Sequence, residues 1–239
     1  MDDGSNPLIA FYDRSYSGAG HSRWRELSAR GKADHVEDLC RRVGLEPRTV
    51  VEIGCGDGAL LAELARRGVG DELHGFDISS VAIDQARRRG VAQVDVFDGV
   101  TLPDHRWDLA VLSHVLEHVE DPLALLVEAA RHAPWLIVEV PLEANVSARR
   151  ASKREGAGEI GHVQRFDRSA VTSLARSAGL RVEAELLDPL PRAVHVFAGA
   201  RVRGSIKAAA RRAVFAASPR LAERLFTLHY AYAASSSDT

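Results

Sequence analysis

Apolar positions along the chain follow two rhythms that take turns. From Lys32 to Val43 they recur at Val36, Leu39, Cys40 and Val43, the stripe of an amphipathic helix that Gly44 stops. Residues 1–31 carry Tyr12, Tyr16, Gly18, Gly20 and Trp24 without a clear period and read as a lid or a first helix. Short apolar runs, often β-branched, then predict strands at Thr49–Ile53, Leu73–Phe76, Val91–Phe97, Asp108–Ser113, Trp135–Val140, Arg181–Leu187 and Val194–Val202. Between them fall helices over Ala59–Arg67, from the Ser79/Ser80 cap to Arg89, over Pro122–Ala133 and over Arg168–Ala178. Strands alternating with helices predict an α/β fold, a Rossmann-like seven-stranded, mostly parallel sheet with helices on both faces. Only six residues, Asp188–Ala193, join the last two expected strands, too few for a parallel crossover, so this pair is expected as an antiparallel hairpin.

Three segments follow: 1–48 as lid and first helix, 49–203 as the core, and 204–239 as a helical extension. An insertion at about 142–166 breaks the alternation with Arg149, Arg150, Lys153 and Arg154 and is expected to shape a ligand pocket. The tail's apolar positions (Ile206, Ala210, Ala213, Val214, Ala217, then Leu221, Leu225 and Leu228) predict two helical pieces split at Pro219, packed on the domain or forming a homodimer surface.

With 46% hydrophobic residues and a net charge of −2, the 239-residue chain is excluded from the disordered class. No apolar run approaches a membrane span, and the Met1-Asp2-Asp3-Gly4 start lacks the flank and core of a signal peptide, so a cytoplasmic location is expected. Two cysteines, Cys40 and Cys55, cannot form a disulfide framework. From Arg201 onward the chain carries +5 against −7 for the rest, which reads as a solvated helix face.

Chemistry concentrates at Val50-Val51-Glu52-Ile53-Gly54-Cys55-Gly56-Asp57-Gly58-Ala59, where a strand enters a glycine turn and a helix leaves it. Glycines serve where the backbone must take φ > 0 or where a ligand lies against the main chain. Gly54, Gly56 and Ala59 satisfy G-x-G-x-x-G/A, and Asp77 follows Gly54 by 23 residues, which fits any ribose-bearing ligand. Three features narrow this: Glu52 with Gly58 gives E-x-G-x-G-x-G, Asp98 ends the third strand, and the fourth runs into Ser113-His114-Val115-Leu116-Glu117-His118-Val119-Glu120-Asp121-Pro122.

On these residues the chain, from about Thr49 to Val202, resembles the class I S-adenosylmethionine-dependent methyltransferases, small-molecule branch, type 11/12-like. The resemblance implies S-adenosyl-L-methionine as cofactor. Gly54, Cys55, Gly56 and Gly58 would form the loop under its methionyl part, steadied by Glu52, with Asp77 on the ribose hydroxyls. Ile78 would flank the adenine, Asp98 would accept from its amino group beside Gly99, and Ser113 and His114 would lie under the sulfonium. Tyr16, with Tyr12, Arg25 and Lys32, is a candidate lid over the cofactor.

A hydroxyl acceptor needs a base, and imidazole suits neutral pH. The candidates are His162, beside Gly161 in the insertion, and His118 and His114 in the turn after the fourth strand, with Glu139 and Glu143 bracketing the end of the fifth. The first reading is therefore methyl transfer to O or N of a small molecule, a secondary metabolite or sugar-type acceptor, with no metal. His114-x-x-Glu117-His118 with His162 is also similar to the Glu-x-x-Glu-His…His metal site of small-RNA 2′-O-methyltransferases, with His114 replacing the first glutamate. That makes a metal-assisted RNA 2′-O-methyltransferase the second reading, although 6% aromatics and the net charge argue against a nucleic-acid groove. An NAD(P)-binding oxidoreductase ranks third, since it gives no reason for the Leu116-Glu117-His118-Val119 turn.

Overall fold

The computed structural model describes residues 7–17, 22–91, 93–148, 163–190 and 201–236. Its elements run α1 (Pro7–Ser17), α2 (Ser22–Val43), β1 (Thr49–Ile53), α3 (Ala59–Arg67), β2 (Glu72–Asp77), α4 (Ser80–Arg88), β3 (Val94–Val96) and β4 (Leu109–Ser113). A 3₁₀ turn (Leu116–His118) follows, then α5 (Pro122–His132), β5 (Trp135–Leu142), α6 (Arg168–Ser177), β6 (Leu180–Asp188), α7 (Arg201–Ala217), α8 (Pro219–Leu225) and β7 (Leu228–Ser236). One sheet contains all seven strands in the order β3-β2-β1-β4-β5-β7-β6. β1 to β5 are parallel, and β7 runs antiparallel between β5 and β6.

Local chemistry explains the element ends. α4 starts where Ser79 Oγ accepts from the Ala82 amide at 3.1 Å, and Asp121 and Asp167 cap α5 and α6 in the same way. Gly58 and Gly68 bracket α3 in the left-handed conformation. Asp108 Oδ2 accepts from the Arg48 and Thr49 amides at 2.8 and 2.9 Å and so ties the start of β1 to that of β4. The sheet is buried on both faces. Ala33, Val36, Leu39 and Cys40 of α2 pack on Val50, Val111, Ile137 and Ala231. On the opposite face Leu125, Leu126 and Ala129 of α5 and Val171 and Ala175 of α6 meet Val51, Leu112, Val138, Tyr230 and Tyr232. The inner strands β1, β4 and β5 are therefore nearly continuous buried runs, while the edge strands β3 and β6 alternate with charged residues.

Four expectations change. The helix expected from Lys32 begins at Ser22, because Ala29 extends the buried stripe upstream, and Pro7–Ser17 of the lid segment is helical. The third strand is three residues long, Val94–Val96. The strand expected at Val194–Val202 falls mostly outside the described residues (194–200), and Arg201 and Val202 open α7. The partner of β6 is Leu228–Ser236, so the segment read as a helical extension from 204 onward supplies two helices and then a central strand. The antiparallel closing pair stands, but its connection is residues 189–227 with two helices, not a six-residue turn. Ala231, Ala233 and Ala234 favour helix on propensity alone, and burial between two strands overrides it.

Candidate active site

In an open α/β sheet the ligand crevice opens at the carboxyl ends of the strands where strand order reverses. Here that point lies between β1 and β4, and a cavity of about 360 Å³ opens there under α1 and α2. The volume falls within the range of small-ligand sites.

One end is made largely of main chain. Gly54 (φ +75°) and Gly56 (φ +53°) turn the loop after β1, and the Gly54 and Cys55 amides donate to the Phe76 carbonyl of β2. A Cβ on Gly56 would come 2.3 Å from the Tyr16 hydroxyl, so the lid ring stands directly over the bare backbone. Asp77, buried, accepts from the Gly56 amide at 2.8 Å and the Ser79 amide at 2.9 Å, and burial raises its pKa against those bonds. Glu52 is buried, and among the described residues its Oε2 has no hydrogen-bond partner. Burial pushes its pKa up to about 8, with Lys32 opposing and Asp77 adding to the rise. α1 and α2 are fixed over the cavity at several points. Ser79 Oγ donates to Asp13 at 2.5 Å, Gln85 donates to the Tyr16 carbonyl at 2.6 Å, and Arg25 bonds Asp57 at 2.8 Å with its guanidinium over the Tyr16 ring.

The other end is built from side chains on four elements. Strand register sets Ser113 of β4 beside Glu139 of β5, and His229 of β7 beside Pro141 of β5 and Asp188 of β6. His35 reaches down from α2. Glu139, fully enclosed, has His229 Nδ1 2.8 Å and His114 Nε2 3.2 Å from Oε1, and His35 Nδ1 3.2 Å from Oε2. Despite burial, these imidazoles hold the Glu139 carboxyl well below the usual carboxylate range. His35 Nε2 lies 3.4 Å from Asp188, and against its burial the two carboxylates raise it to about 10. His114 takes a left-handed backbone (φ 60°), with Nδ1 3.2 Å from Glu117 Oε1, and its pKa is raised despite burial and Lys32. His229 goes the other way, lowered by burial and by the neighbouring His114. His118 Nε2 lies 4.0 Å from Glu117 Oε1, and its ring stands edge-on to Tyr12.

Of the residues expected from sequence, Tyr16, Glu52, Gly54, Cys55, Gly56, Asp77, Ile78, Gly99, Ser113, His114 and His118 line this one cavity. Two are placed differently. Gly58 is a packing glycine, since a Cβ there would meet Ala86 at 2.9 Å and Val91 at 3.1 Å. Asp98 turns Oδ1 into its own loop, accepting from the Val100 and Thr101 amides at 2.7 Å each, and is not on the cavity wall, which carries Phe97 and Gly99 instead. His162, Gly161 and the basic cluster from Arg149 to Arg154 lie outside the described residues. The amides of Val163 and Gln164 donate to the Glu117 carbonyl, so the end of the insertion docks on the 3₁₀ turn. Sequence reading missed His35, His229 and Asp188. His35 hides beside the apolar stripe of α2 and is revealed by its contacts with Glu139 and Asp188, and His229 sits in a segment read as helix and is revealed by the strand pairing.

Comparison with known proteins agrees with this geometry. The sequence model described as a methyltransferase domain matches residues 24–185. The trans-aconitate 2-methyltransferase of Mycolicibacterium gilvum is 37% identical over 129 residues, 50% of either chain. The ubiquinone biosynthesis O-methyltransferase of Alkalilimnicola ehrlichii is 33% identical over 96 residues, 37% of this chain and 38% of that one. The chain thus aligns with half or less of the length of these relatives. A SAM-dependent methyltransferase of Thermotoga maritima superposes with a TM-score of 0.63 at 19% identity, covering 95% of this chain and 99% of that one. Among the described residues no helix is long and apolar enough to cross a membrane. With a methyltransferase-domain match over residues 24–185, the glycine loop after β1, buried Asp77 at the end of β2 and a closing antiparallel strand, the chain belongs to the class I S-adenosylmethionine-dependent methyltransferases.

Proposed function

We propose that the protein transfers the methyl group of S-adenosylmethionine to an oxygen of a small polar acceptor, of the secondary-metabolite or sugar type. One observation carries the reading: a single cavity has a main-chain cradle with Glu52 and Asp77 at one end and a cluster of imidazoles and carboxylates at the other. The cradle suits the cofactor. Gly56 leaves the backbone bare, and the unpartnered, buried Oε2 of Glu52 is an acceptor in want of a donor such as the cofactor's ammonium group. Asp77, with one amide on each oxygen, keeps lone pairs for ribose hydroxyls. When bound, the sulfonium supplies an activated methyl carbon.

The chain's own task is then positioning and removal of one proton. The acceptor's hydroxyl proton would pass to His118 as the acceptor oxygen took up the methyl group that the bound cofactor supplies, leaving the demethylated cofactor as the second product. His114 is a poorer base, because both its ring nitrogens already face carboxylates. Glu117 beside His118 favours the imidazolium that forms. The names of the relatives that align, one of them an O-methyltransferase, support an oxygen acceptor.

The test is S-adenosylhomocysteine release against a panel of hydroxy acids, phenols and sugars, with His118→Ala run in parallel. The variant is expected to lose about 10²–10⁴-fold in turnover, keep its cofactor affinity, and recover part of the loss at high pH. Full turnover of His118→Ala across the pH range removes His118 from the mechanism.

A further inference from the structure

We propose that His114, Glu139 and His229 form a binding site for one divalent first-row metal ion of the zinc class, with an open position facing the acceptor end of the cavity. The proposal deepens the oxygen-acceptor reading and rests on it for its role, though not for its binding test.

The ligand atoms are already gathered. Glu139 Oε1 lies 2.8 Å from His229 Nδ1 and 3.2 Å from His114 Nε2, and the three atoms fall within 4.8 Å of one another. Ligand atoms on one tetrahedral zinc stand about 3.3–3.4 Å apart, given bonds of about 2.0–2.1 Å. The two contacts to Glu139 need only tenths of an ångström, and the two imidazoles need to close on each other through small side-chain rotations. All three residues stand on strands β5 and β7 or directly after β4, a rigid base for a metal.

The surroundings match what a metal requires of its neighbours. A ligating imidazole characteristically turns its second nitrogen to a carboxylate or carbonyl. His114 does this, with Nδ1 3.2 Å from Glu117 Oε1. The second oxygen of Glu139 is also held, by His35 Nδ1 at 3.2 Å and by Ser113 Oγ, which donates at 3.4 Å. His35 is braced in turn by Asp188. Glu117 is 1% exposed, and its Oε1 faces His114 Nδ1 at 3.2 Å and His118 Nε2 at 4.0 Å, which fixes the orientation of the His114 ring. Glu117, Glu139 and Asp188 thus bring three carboxylates to one enclosed corner. Two imidazoles and one carboxylate are a ligand set that holds catalytic zinc while leaving a fourth position for water or substrate. An acceptor hydroxyl in that position would lose its proton more readily. These ligands differ from the His114-x-x-Glu117-His118…His162 pattern read in the sequence, in which Glu117 would bind directly and neither Glu139 nor His229 takes part.

The full-length protein, stripped with a chelator and dialysed, is titrated with Zn²⁺ by calorimetry and with Co²⁺ by visible absorption. S-adenosylmethionine binding is measured on the same samples. The expected result is one equivalent of metal, with the absorption bands of four- or five-coordinate Co²⁺. His229→Ala and Glu139→Gln should each weaken metal binding at least about 100-fold, and His229→Ala should change cofactor affinity less than about threefold. If Glu139→Gln does not fold, His229→Ala alone decides. Absence of saturable Zn²⁺ or Co²⁺ binding overturns the proposal, as does binding that His229→Ala leaves unchanged. A protein that binds metal in this way but not S-adenosylmethionine sinks the methyl-transfer reading and leaves the metal site standing.

Discussion

The two halves of the sheet solve different problems. From β3 to β4 all strands are parallel, and the ligand surface is mainly backbone: left-handed glycines at 54 and 56, two amides on Asp77, and a helix start capped by Ser79. From β5 to β6 the pairing turns antiparallel, and the surface is mainly side chain, with Glu139, His229 and Asp188 on three strands and His35 above them. A cofactor of fixed shape can be held by main chain that is contiguous in sequence. An acceptor that differs between relatives is better met by side chains, which change without rebuilding the fold. The second solution costs desolvation, because charged groups must be buried and then paired. Cohesion comes from the apolar layers, and those run across both halves.

That continuity gives the largest expected effect. Leu112, fully buried on β4, packs in a cluster that joins Phe76 of β2 to Tyr230 and Tyr232 of β7. Leu112→Ala should cost about 2–5 kcal/mol of stability by emptying that space. Thermal unfolding followed by both near- and far-ultraviolet dichroism should remain a single transition. Two separated transitions would break the picture of halves sharing one core and make each a folding unit.

Legibility in the sequence follows the same division. The glycine-loop end of the cavity was readable because its signals are local: Glu52 through Gly58 is one strand-turn-helix, and Asp77 lies at the end of the next strand. Ser113 and His114 were readable for the same reason. Asp98 shows how an acid at a strand end can cap its own loop as easily as face a ligand: its Oδ1 accepts from the Val100 and Thr101 amides. The acceptor end was mostly hidden. His35 and His229 are 194 positions apart in the chain and meet only because Leu228–Ser236 enters the sheet between β5 and β6. That entry breaks local propensity, since an alanine-rich stretch becomes a strand when both its faces and both its edges are covered.

A smaller effect sharpens the contrast at the cofactor end. Asp77→Ala should weaken S-adenosylmethionine binding by about 1.5–3 kcal/mol, the loss for hydrogen bonds to a charged group, read by calorimetry. Part of that loss arises within the protein, because the Gly56 and Ser79 amides lose their acceptor. Asp77→Asn keeps one acceptor oxygen and should recover part of the affinity. Equal binding by wild type and both variants would show that the loop holds the ligand by backbone alone.

The smallest expected effect is the pH dependence set by Glu52. Its carboxyl ionises near an ordinary 4.5 in the unfolded chain but only at about 8 in the folded one, chiefly through burial. Between these values the folded state binds the extra proton, so stability falls as pH rises through that window. From pH 6 to pH 8 the loss should amount to at most about 2 kcal/mol, since relaxation and water entry discount a buried shift. Glu52→Gln removes this titration. The variant should match wild type in melting temperature near pH 5 and exceed it by a few degrees at pH 8, measured in the absence of ligand. If Glu52 takes the cofactor's ammonium group as proposed, that group would favour the ionised carboxyl, and S-adenosylmethionine uptake near pH 7 should release a proton from wild type and none from Glu52→Gln at this position. Calorimetry in two buffers of different ionisation heat reads that proton directly. If wild type and Glu52→Gln release the same number of protons, Glu52 is a structural acid of the loop and not the cofactor's partner.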